Sequence, residues 1–364
     1  MEDIPFLPRM QEEHDAFSKT MQDHGVTVLK LADLVRDVVA IPVGRERLVR
    51  EACELYHNPA LVQPILDHFS PDEIARIVFE GLTENEFSQV LKQDAGSALH
   101  HDRFLIDPSP NTYFTRDPAV VCRDQVISCN AHYPARIRET WVTHTILDLH
   151  PAFADLKFIF GVSDLEARPY TIEGGDIIAL NQDAIAVGRS ERTRRETITM
   201  LAANLFREGK AKRVYEVEIP PERIYMHLDT VFTIVGPQSV VFFPPVIEQS
   251  PAVRCYEAAA DGKPNVKHDQ RTLIDILKDE LGSDLNIIRT AGGDKRYAAR
   301  EQRGAGSNML ALSPNQVISY ERNSHTNKAL RDAGVEVLEI PGSELVRGLG
   351  GPRCMSMPLL RMNP

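Results

Sequence analysis

Residues 177–219 read IIALNQDAIAVGRSERTRRETITMLAANLFREGKAKRVYEVEI, and this stretch shows the plan of most of the chain. Two short apolar runs within 177–187 lie on either side of a polar turn, Asn181-Gln182-Asp183. This composition is typical of a β-hairpin. A helical segment, Arg192–Arg207, and another apolar run, Arg213–Ile219, follow the hairpin. The stretch therefore predicts two paired strands, then a helix, then a third strand.

The same plan occurs at four places along the chain. The predicted hairpins lie at 119–129, 177–187, 231–243 and 309–320. The predicted helices are 138–149, 192–207, 269–281 and 326–333, and the closing strands are 156–160, 213–219, 285–290 and 335–340. Repeated units that cannot bury their own apolar faces stack against one another, either around an axis or along a solenoid.

The two ends of the chain predict a further unit. A helix, Glu12–His24, and a strand, Val26–Leu31, have the composition of the second half of such a unit. The apolar run 355–360, which follows Cys354, is expected to form a last strand that completes it. We therefore predict an α/β fold of five units closed into a ring, with the catalytic domain at 1–31 and 97–364.

Between these two parts the sequence is helical and lacks strand patterns. Ser70-Pro71-Asp72-Glu73 combines a capping serine with a proline at the first helical position. Thr83-Glu84-Asn85-Glu86 has the spacing of a capping box, another sign of a helix start. Residues 32–96 are therefore predicted to form a small helical insertion.

The composition limits the classes of partner. Of the 364 residues, 43% are hydrophobic and 26% are charged, as in ordinary globular proteins, and the net charge is −11. This charge argues against nucleic acid or an anionic membrane as a partner, and no apolar stretch approaches the length of a membrane span. The five cysteines form no C-x-x-C pair and their number is odd, so we expect a reduced, cytoplasmic protein.

Reactive residue types stand near the start of each predicted hairpin. The clusters are 111–118 (NTYFTRDP), 173–176 (EGGD), 227–230 (HLDT) and 300–302 (REQ), and Cys354 precedes the last predicted strand. Equivalent positions of units around an axis meet in space. We therefore expect these clusters to converge on one pocket.

Together the clusters supply the groups for covalent catalysis, namely a thiol (Cys354), an acid/base (His227) and several carboxylates. The carboxylates belong to Asp117, Glu173, Asp176 and Asp229. An excess of acids opposes the oxyanion of an amidase, whereas it suits a planar cation such as a guanidinium, which carboxylates bind in bidentate fashion. Acids also raise the pKa of a thiol above about 8.5, so a bound cation would favour the thiolate.

Each signal alone has a structural alternative. His227 and Asp229 are compatible with a surface ion pair, and Glu173–Asp176 with a solvated tight turn. A lone cysteine such as Cys354 is often a buried small hydrophobe. His100-His101-Asp102 suggests a metal site on paper, but without further ligands a solvated loop explains it as well.

Several motifs, in order along the chain, resemble those of the arginine deiminase family. They are Phe114-Thr115-Arg116-Asp117, Glu173-Gly174-Gly175-Asp176, Met226-His227-Leu228-Asp229-Thr230 and Gly351-Pro352-Arg353-Cys354-Met355-Ser356-Met357-Pro358. The resemblance covers essentially the whole chain. It implies the pentein α/β-propeller of guanidine-modifying enzymes, a ring of five units of which the first is incomplete at the N-terminus here. It further implies hydrolysis of L-arginine to L-citrulline and ammonia, without a metal or an organic cofactor, by a homodimer or a larger homo-oligomer.

The resemblance also implies roles for individual residues. Cys354 attacks the guanidinium carbon and forms a covalent amidino-thioether with loss of ammonia. His227 protonates the leaving amine and then activates water. Asp117 and Asp229 hold the guanidinium nitrogens, while Glu173 orients His227 and contacts the substrate. The expected substrate-binding residues are Asn111, Phe114, Arg136, Asp176, Arg192 and Arg353.

One position departs from part of the family. Some members have an arginine five residues before the cysteine, where this chain has Leu349. Two alternatives to an arginine deiminase therefore stay open. One is a related guanidine-modifying hydrolase or amidinotransferase that acts on a modified arginine, and the other is a catalytically silent pentein.

Overall fold

The computed structural model describes residues 3–91, 103–122, 124–160, 170–249, 252–259 and 263–361. Contacts divide the chain into two compact units. The first, which we call the α/β unit, comprises 1–28, 113–132 and 157–364, and the second, the helical unit, comprises 29–112 and 133–156. The helical unit thus takes in more of the chain than the predicted insertion. The predicted boundary at residues 96 and 97 lies outside the described residues, and the assignment of the insertion stays a prediction.

The described residues form twelve α-helices and sixteen β-strands. The helices are α1 (Leu7–Asp23), α2 (Leu31–Ala40), α3 (Pro42–Leu55), α4 (Val62–His68), α5 (Pro71–Glu80), α6 (Glu84–Val90), α7 (Ile137–Leu149), α8 (Arg195–Arg207), α9 (Pro244–Ile247), α10 (Leu273–Leu281), α11 (Lys295–Gln302) and α12 (Ser324–Asp332). The strands are β1 (Leu82–Thr83), β2 (Phe104–Ile106), β3 (Ala119–Cys122), β4 (Gln125–Ser128), β5 (Lys157–Phe160), β6 (Ile177–Ala179), β7 (Ala184–Arg189), β8 (Arg213–Glu218), β9 (Phe232–Gly236), β10 (Ser239–Phe242), β11 (Val253–Ala258), β12 (Pro264–Asp269), β13 (Asn286–Arg289), β14 (Leu310–Ser313), β15 (Gln316–Tyr320) and β16 (Glu336–Ile340).

The strands of the α/β unit pair in one recurring pattern. In each case the first strand is antiparallel to the second, and the second is parallel to the third. The sets are β3-β4-β5, β6-β7-β8, β9-β10-β13 and β14-β15-β16. A parallel pair needs a crossover connection, usually a helix, and α8, α10 and α12 each lie between the second and third strands of their set. The strand–strand–helix–strand units predicted from the sequence are therefore present, and the fold is α/β with mixed sheets.

One hairpin was not predicted. Strands β11 and β12 pair with each other, and β11 continues the sheet antiparallel to β8, which gives the order β12-β11-β8-β7-β6. Residues of β12 are mostly exposed, and an exposed edge strand carries little of the apolar alternation from which strands are recognised.

Two predicted strands were wrong. Residues 26–30 carry no strand, and α2 begins at Leu31. Val26 and Val28 pack against the apolar cluster around Phe17, so their hydrophobicity reflects packing rather than sheet pairing. Residues 355–361 also carry no strand. Pro358 lacks the N–H that a sheet ladder needs, and Leu360 is 85% exposed.

The N-terminal helix is fixed to the segment that leads to Cys354. Glu13 on α1 is fully buried, and its carboxylate accepts hydrogen bonds from the backbone N–H groups of Ser343, Glu344 and Leu345 at 2.9–3.0 Å. Burial opposes ionisation of this side chain, but these hydrogen bonds lower the pKa of Glu13. A buried ionised carboxylate with this many donors specifies how α1 is placed against the C-terminal segment.

Two helices of the helical unit begin as their capping residues predict, but the predicted insertion is not all helical, because β1 lies within it and pairs antiparallel with β2. The side chain of Ser70 accepts a hydrogen bond from Glu73 N, and Glu73 accepts one from Ser70 N, so α5 begins with a complete capping box. Thr83 and Glu86 form the same arrangement at the start of α6. No described helix, in either unit, is long and apolar enough to cross a membrane.

Candidate active site

The side chains predicted to be catalytic lie close together in the α/β unit. His227 Nε2 is 2.7 Å from Glu173 Oε2, and His227 Nδ1 is 3.5 Å from Asp117 Oδ1. Cys354 Sγ is 3.8 Å from Asp229 Oδ2, and the charge of Asp117 also acts on this thiol. Asp117, Glu173 and His227 stand shortly before β3, β6 and β9. The clusters before β3, β6 and β9 thus meet as expected, whereas Arg300 and Glu301 of the fourth cluster line a different cavity, and the catalytic roles themselves stay predictions.

Two glycines allow these segments to approach one another. A Cβ atom on Gly175 would lie 2.5 Å from His227 Nδ1, and one on Gly174 would lie 2.1 Å from the backbone oxygen of Arg116. Both distances are far below van der Waals contact. The Glu-Gly-Gly-Asp sequence therefore carries glycine because the histidine ring and a neighbouring backbone pack directly on it.

His227 is fully buried and held between two carboxylates. Burial alone would lower the pKa of its imidazole. The charges of Asp117 and Glu173, together with the hydrogen bond to Glu173, outweigh burial and raise the pKa of His227 to about 9. The ring is therefore protonated at neutral pH and able to donate a proton.

Glu173 is itself fixed on several sides. Its Oε1 accepts a hydrogen bond from His132 N at 2.9 Å, and its Oε2 accepts one from Arg192 at 3.2 Å in addition to that from His227. Its backbone N–H donates to Thr193 Oγ1. The carboxylate that orients His227 thus has little freedom to rotate.

The amide of Asn308 positions the thiol. Asn308 Oδ1 accepts hydrogen bonds from the N–H groups of Cys354 and Gly351, both at 3.1 Å, and Asn308 Nδ2 donates to the backbone oxygen of Asp229 at 3.0 Å. One side chain therefore fixes the cysteine and the neighbouring aspartate together. Burial and the charges of Asp229 and Asp117 raise the pKa of the Cys354 thiol well above its ordinary value, which keeps it neutral.

Arg353 contacts Asp229, and its predicted contact with the substrate stays a prediction. Arg353 Nη1 lies 3.0 Å from Asp229 Oδ2, and this guanidinium is also within reach of the backbone oxygen of Ile177. Burial raises the pKa of Asp229, and the positive charge of Arg353 opposes that rise. The guanidinium group of Arg353 therefore binds the carboxylate of Asp229, which is one of the carboxylates expected to hold the guanidinium group of the substrate.

Asp176 contacts the protein through both carboxylate oxygens. Oδ1 accepts a hydrogen bond from Leu228 N at 2.8 Å, and Oδ2 accepts one from Ser190 Oγ at 2.6 Å. Burial raises the pKa of Asp176 to about 7. Because Leu228 follows His227, Asp176 helps to set the backbone that carries the histidine.

The other expected substrate-binding residues have different surroundings. Phe114 is buried, with its ring 4.0 Å from that of Tyr113. Asn111 and Arg136 belong to the helical unit, where Asn111 N and Arg136 Nε both donate to the carboxylate of Glu139. Their contact with a substrate stays a prediction.

One group of side chains has the donor set for a metal ion. Single ligand atoms of Asp117, Glu173 and His227 all lie within 4.8 Å of one another. Two carboxylates and an imidazole are ligands that divalent cations accept. Two of these three residues, His227 and Glu173, form a hydrogen bond with each other. A protonated imidazole that donates to the carboxylate explains this contact without a metal ion. The expectation of a reaction without a metal stays a prediction, and His100-His101-Asp102 lies outside the described residues.

Sequence reasoning missed the residues that support this cluster from behind. Gln302 Nε2 and Ser307 Oγ both donate to the backbone oxygen of Thr230. Asn308 stands two residues before β14, a position close to that of Asp117 before β3. The repeated-unit pattern was not used to identify Asn308, although its position before β14 is the signal that could have done so.

Comparisons with known proteins agree with these features. The model of the arginine deiminase family matches residues 1–361. An arginine deiminase of Listeria monocytogenes serotype 4b is 37% identical over 372 residues, which cover 100% of this chain and 90% of the relative. An arginine deiminase of Bacillus cereus is 39% identical over 371 residues, with 99% and 90% of the two chains covered.

A solved structure shares the fold at low sequence identity. The N-terminal domain of ArgZ, covalently bound to a reaction intermediate, matches with a TM-score of 0.50 and 15% identity over 69% of this chain and 76% of that one. ArgZ is an arginine dihydrolase of cyanobacteria. This similarity supports the pentein-type α/β fold alone. The family model and the curated relatives confirm the family that the motifs predicted: the chain belongs to the arginine deiminase family.

Proposed function

We propose that this protein hydrolyses the guanidinium group of L-arginine to give L-citrulline and ammonia. The observation that carries the proposal is the buried cluster of Cys354 and His227 with the carboxylates of Asp117, Glu173 and Asp229. Carboxylates around a thiol disfavour an anionic substrate and favour a cationic one. Membership of the arginine deiminase family supports the same reaction.

Asp229 and Asp117 are proposed to hold the guanidinium nitrogens. Asp229 already binds one guanidinium, that of Arg353, at 3.0 Å. The contact demonstrates that this buried carboxylate accepts the group that the substrate would present. Substrate binding would therefore displace Arg353 from Asp229.

The first half-reaction breaks a C–N bond. A bound cation neutralises the carboxylates that raise the pKa of Cys354, so when substrate is present the thiol gives up its proton to water and the thiolate forms. The thiolate attacks the guanidinium carbon and forms a C–S bond. His227, protonated because its pKa is raised to about 9, donates its proton to the leaving nitrogen, and ammonia departs from the amidino-thioether.

The second half-reaction restores the enzyme. His227, now neutral, accepts a proton from water while the water oxygen attacks the same carbon. The C–S bond breaks and citrulline is released, and the departing Cys354 thiolate takes up the second proton of that water, which restores the neutral thiol. Glu173 keeps the imidazole in position through both halves, because its hydrogen bond to Nε2 leaves Nδ1 as the nitrogen that transfers the proton.

The remaining site residues are proposed to act on the other end of the substrate or through the catalytic groups. Asn111, Arg136 and Arg192 would bind the carboxylate and amino group, as the family resemblance implies, and Phe114 would line the site. Arg192 also donates to Glu173, so it supports the catalytic carboxylate as well. Asp176 is proposed as a positioning residue, since both of its oxygens bond to the protein.

The arrangement of the units and the assembly of the protein are further parts of the proposal. The four strand–strand–helix–strand units among the described residues support a pentein propeller, for which we propose five units. A homodimer or larger homo-oligomer in the cytoplasm is proposed with it, and light scattering on the purified protein measures the oligomeric state. All five cysteines are free thiols, which suits a reducing compartment.

A citrulline assay tests the proposed reaction. The purified chain is incubated with L-arginine, agmatine and a methylated arginine, and Cys354→Ala serves as the inactive control. We expect citrulline and ammonia in equal amounts from L-arginine, and none from the variant, which should retain its fold. Turnover of only the modified guanidine would favour the related hydrolase. An absence of turnover on every guanidine by the folded protein would favour the silent pentein.

A further inference from the structure

A second cavity of about 310 Å³ lies in the α/β unit, beside α11 and the start of α12. Its walls include Tyr297, Arg300, Glu301, Arg322 and His325. None of these residues belongs to the catalytic cluster. The volume is at the small end of ligand sites, which run from about 300 to 1,000 Å³.

Two arginines of the cavity wall have no carboxylate partner among the described residues. In the described part of the chain, Arg300 and Arg322 have no carboxylate within ion-pair distance. Arg296, an exposed arginine on the same helix as Arg300, does have such a partner and lies 3.3 Å from Asp294. Two unpaired cations on one cavity therefore create a local site for an anion, in a protein whose net charge is −11.

The carboxylate in the cavity wall is already engaged elsewhere. Glu301 Oε1 accepts a hydrogen bond from His325 N, and its Oε2 accepts bonds from Thr326 N and Thr326 Oγ1, at 2.6–2.9 Å. Glu301 therefore caps the first turn of α12 rather than pairing with the two arginines. Because Glu301 accepts hydrogen bonds from the N–H groups at the start of α12, those groups do not bind an anion in the cavity. Binding of an anion there therefore depends on Arg300 and Arg322.

The cavity also has an aromatic wall. The rings of Tyr297 and His325 stack with centroids 3.8 Å apart and planes at 22°. Tyr297 is nevertheless 41% exposed, so part of the pair remains open to a ligand. A planar group in the cavity would stack on this pair and gain apolar contact. The loop beneath is held by Asn323, whose Nδ2 donates to the backbone oxygen of Gly304 at 2.8 Å.

We propose that this cavity binds a phosphate monoester attached to a planar ring, of the size of a nucleoside monophosphate. Guanidinium groups bind phosphate oxygens in bidentate fashion, which assigns Arg300 and Arg322 to the phosphate. The Tyr297–His325 pair takes the ring. The site is separate from the arginine-hydrolysing one, but α11 borders both, because Gln302 at its end bonds to the backbone of Thr230.

Isothermal titration calorimetry of the full chain tests the proposal directly. The probes are adenosine 5′-monophosphate and uridine 5′-monophosphate, with adenosine and inorganic phosphate as the two separated parts. We expect saturable binding of a nucleotide and binding at least about tenfold weaker for each part, since each part lacks one of the two contacts. Equal affinity for inorganic phosphate and for both nucleotides would show that stacking of the nucleotide's ring on Tyr297 and His325 does not contribute to binding. No saturable binding of either nucleotide would overturn the site.

Matched variants show whether the named residues form the site. Arg300→Ala and Arg322→Ala should each weaken nucleotide binding about tenfold or more, because each removes a charge-assisted hydrogen-bond donor to the phosphate. Arg296→Ala, on the same helix but outside the cavity wall, is the control and should bind as the unmodified chain does. Tyr297→Ala should weaken nucleotide binding more than phosphate binding. Unchanged binding in the Arg300 and Arg322 variants, with thermal melting points like that of the control, would contradict the assignment.

Discussion

The histidine side and the thiol side of the site use the same kind of neighbour to opposite effect. Carboxylates attract the proton of a cationic acid, so Asp117 and Glu173 raise the pKa of His227 to about 9 and keep it charged. Carboxylates repel a thiolate, so Asp229 and Asp117, together with burial, raise the pKa of Cys354 and keep it neutral. One set of charges therefore keeps both groups protonated in the free protein.

The comparison explains why a cationic substrate starts the reaction. A guanidinium bound to Asp117 and Asp229 cancels the charge that holds the proton on the thiol, whereas Glu173 still holds His227 protonated through its own hydrogen bond. The thiol side thus loses the charges of both of its carboxylates to the substrate, whereas the histidine side loses that of Asp117 and keeps that of Glu173. Variants that remove one carboxylate at a time separate the two sides.

The largest effect is expected on the thiol side. Asp229→Asn removes a carboxylate that is proposed to bind the substrate, so kcat/KM for L-arginine should fall about 10²–10³-fold, the usual cost of removing one partner of a buried charged pair. The same change removes the nearest negative charge from Cys354, so its pKa should fall. The rate of alkylation of Cys354 by iodoacetamide at neutral pH, followed by mass spectrometry, should therefore rise. Slower alkylation in a folded variant would contradict this account.

A smaller effect is expected on the histidine side. The pKa of His227 rises on folding from 6.5 to about 9, so its contribution to stability is fully present below about pH 6.5 and is lost as the pH rises through about 9. This contribution is on the order of 3 kcal/mol. Glu173→Gln should flatten that part of the pH dependence of the free energy of unfolding, measured by urea denaturation from pH 6 to 10.

The activity of the same variant gives a second measurement. Glu173→Gln should lower kcat about 10²-fold, because the imidazole loses the charge that keeps it protonated and oriented. Glu196→Gln, an exposed carboxylate in the first turn of α8, is the control and should change neither kcat nor the pH dependence. A pH dependence of stability that is identical in both variants would show that Glu173 does not set the protonation of His227.

The smallest effect concerns Arg353. Its guanidinium competes with substrate for Asp229, so its removal should tighten arginine binding several-fold once the competition is gone. Cys354→Ala and the double variant Cys354→Ala with Arg353→Gln allow this to be measured by calorimetry without turnover. Weaker binding in the double variant would instead support Arg353 as a substrate-binding residue, as the sequence analysis expected.

The sequence predicted the repeated units because their hairpins are buried and apolar. Strands β7 and β10, for example, are buried along nearly their whole length, so their apolar runs stand out between polar turns. The exposed strand β12 lacks such an apolar run. The residues after Cys354 do form an apolar run, but there Met355 packs in a core cluster without pairing in a sheet. Hydrophobicity indicates burial, and burial does not require a strand.

The site was predictable to the extent that chemistry is carried by residue type. Cys354, His227 and the acids were predicted because together, at matching positions of successive units, they supply the groups for covalent catalysis, whereas each alone has a structural alternative. Asn308 and the pairing of Arg353 with Asp229 were not found, because an amide and a guanidinium have many roles and only the fold decides which atoms they reach. The motifs thus predicted which residue types the site contains, but they did not predict the contacts among them that control the chemistry.

The central claim is that Cys354 forms a covalent bond to the guanidinium carbon. Intact-mass and peptide mass spectrometry of the full chain, quenched in acid during turnover of L-arginine, tests it most directly, with Cys354→Ser as the control. The account predicts an added mass equal to arginine less ammonia, on the peptide that contains Cys354 and on no other. Two results would contradict the claim. One is production of citrulline by the unmodified chain with no adduct on Cys354, and the other is production of citrulline by Cys354→Ala.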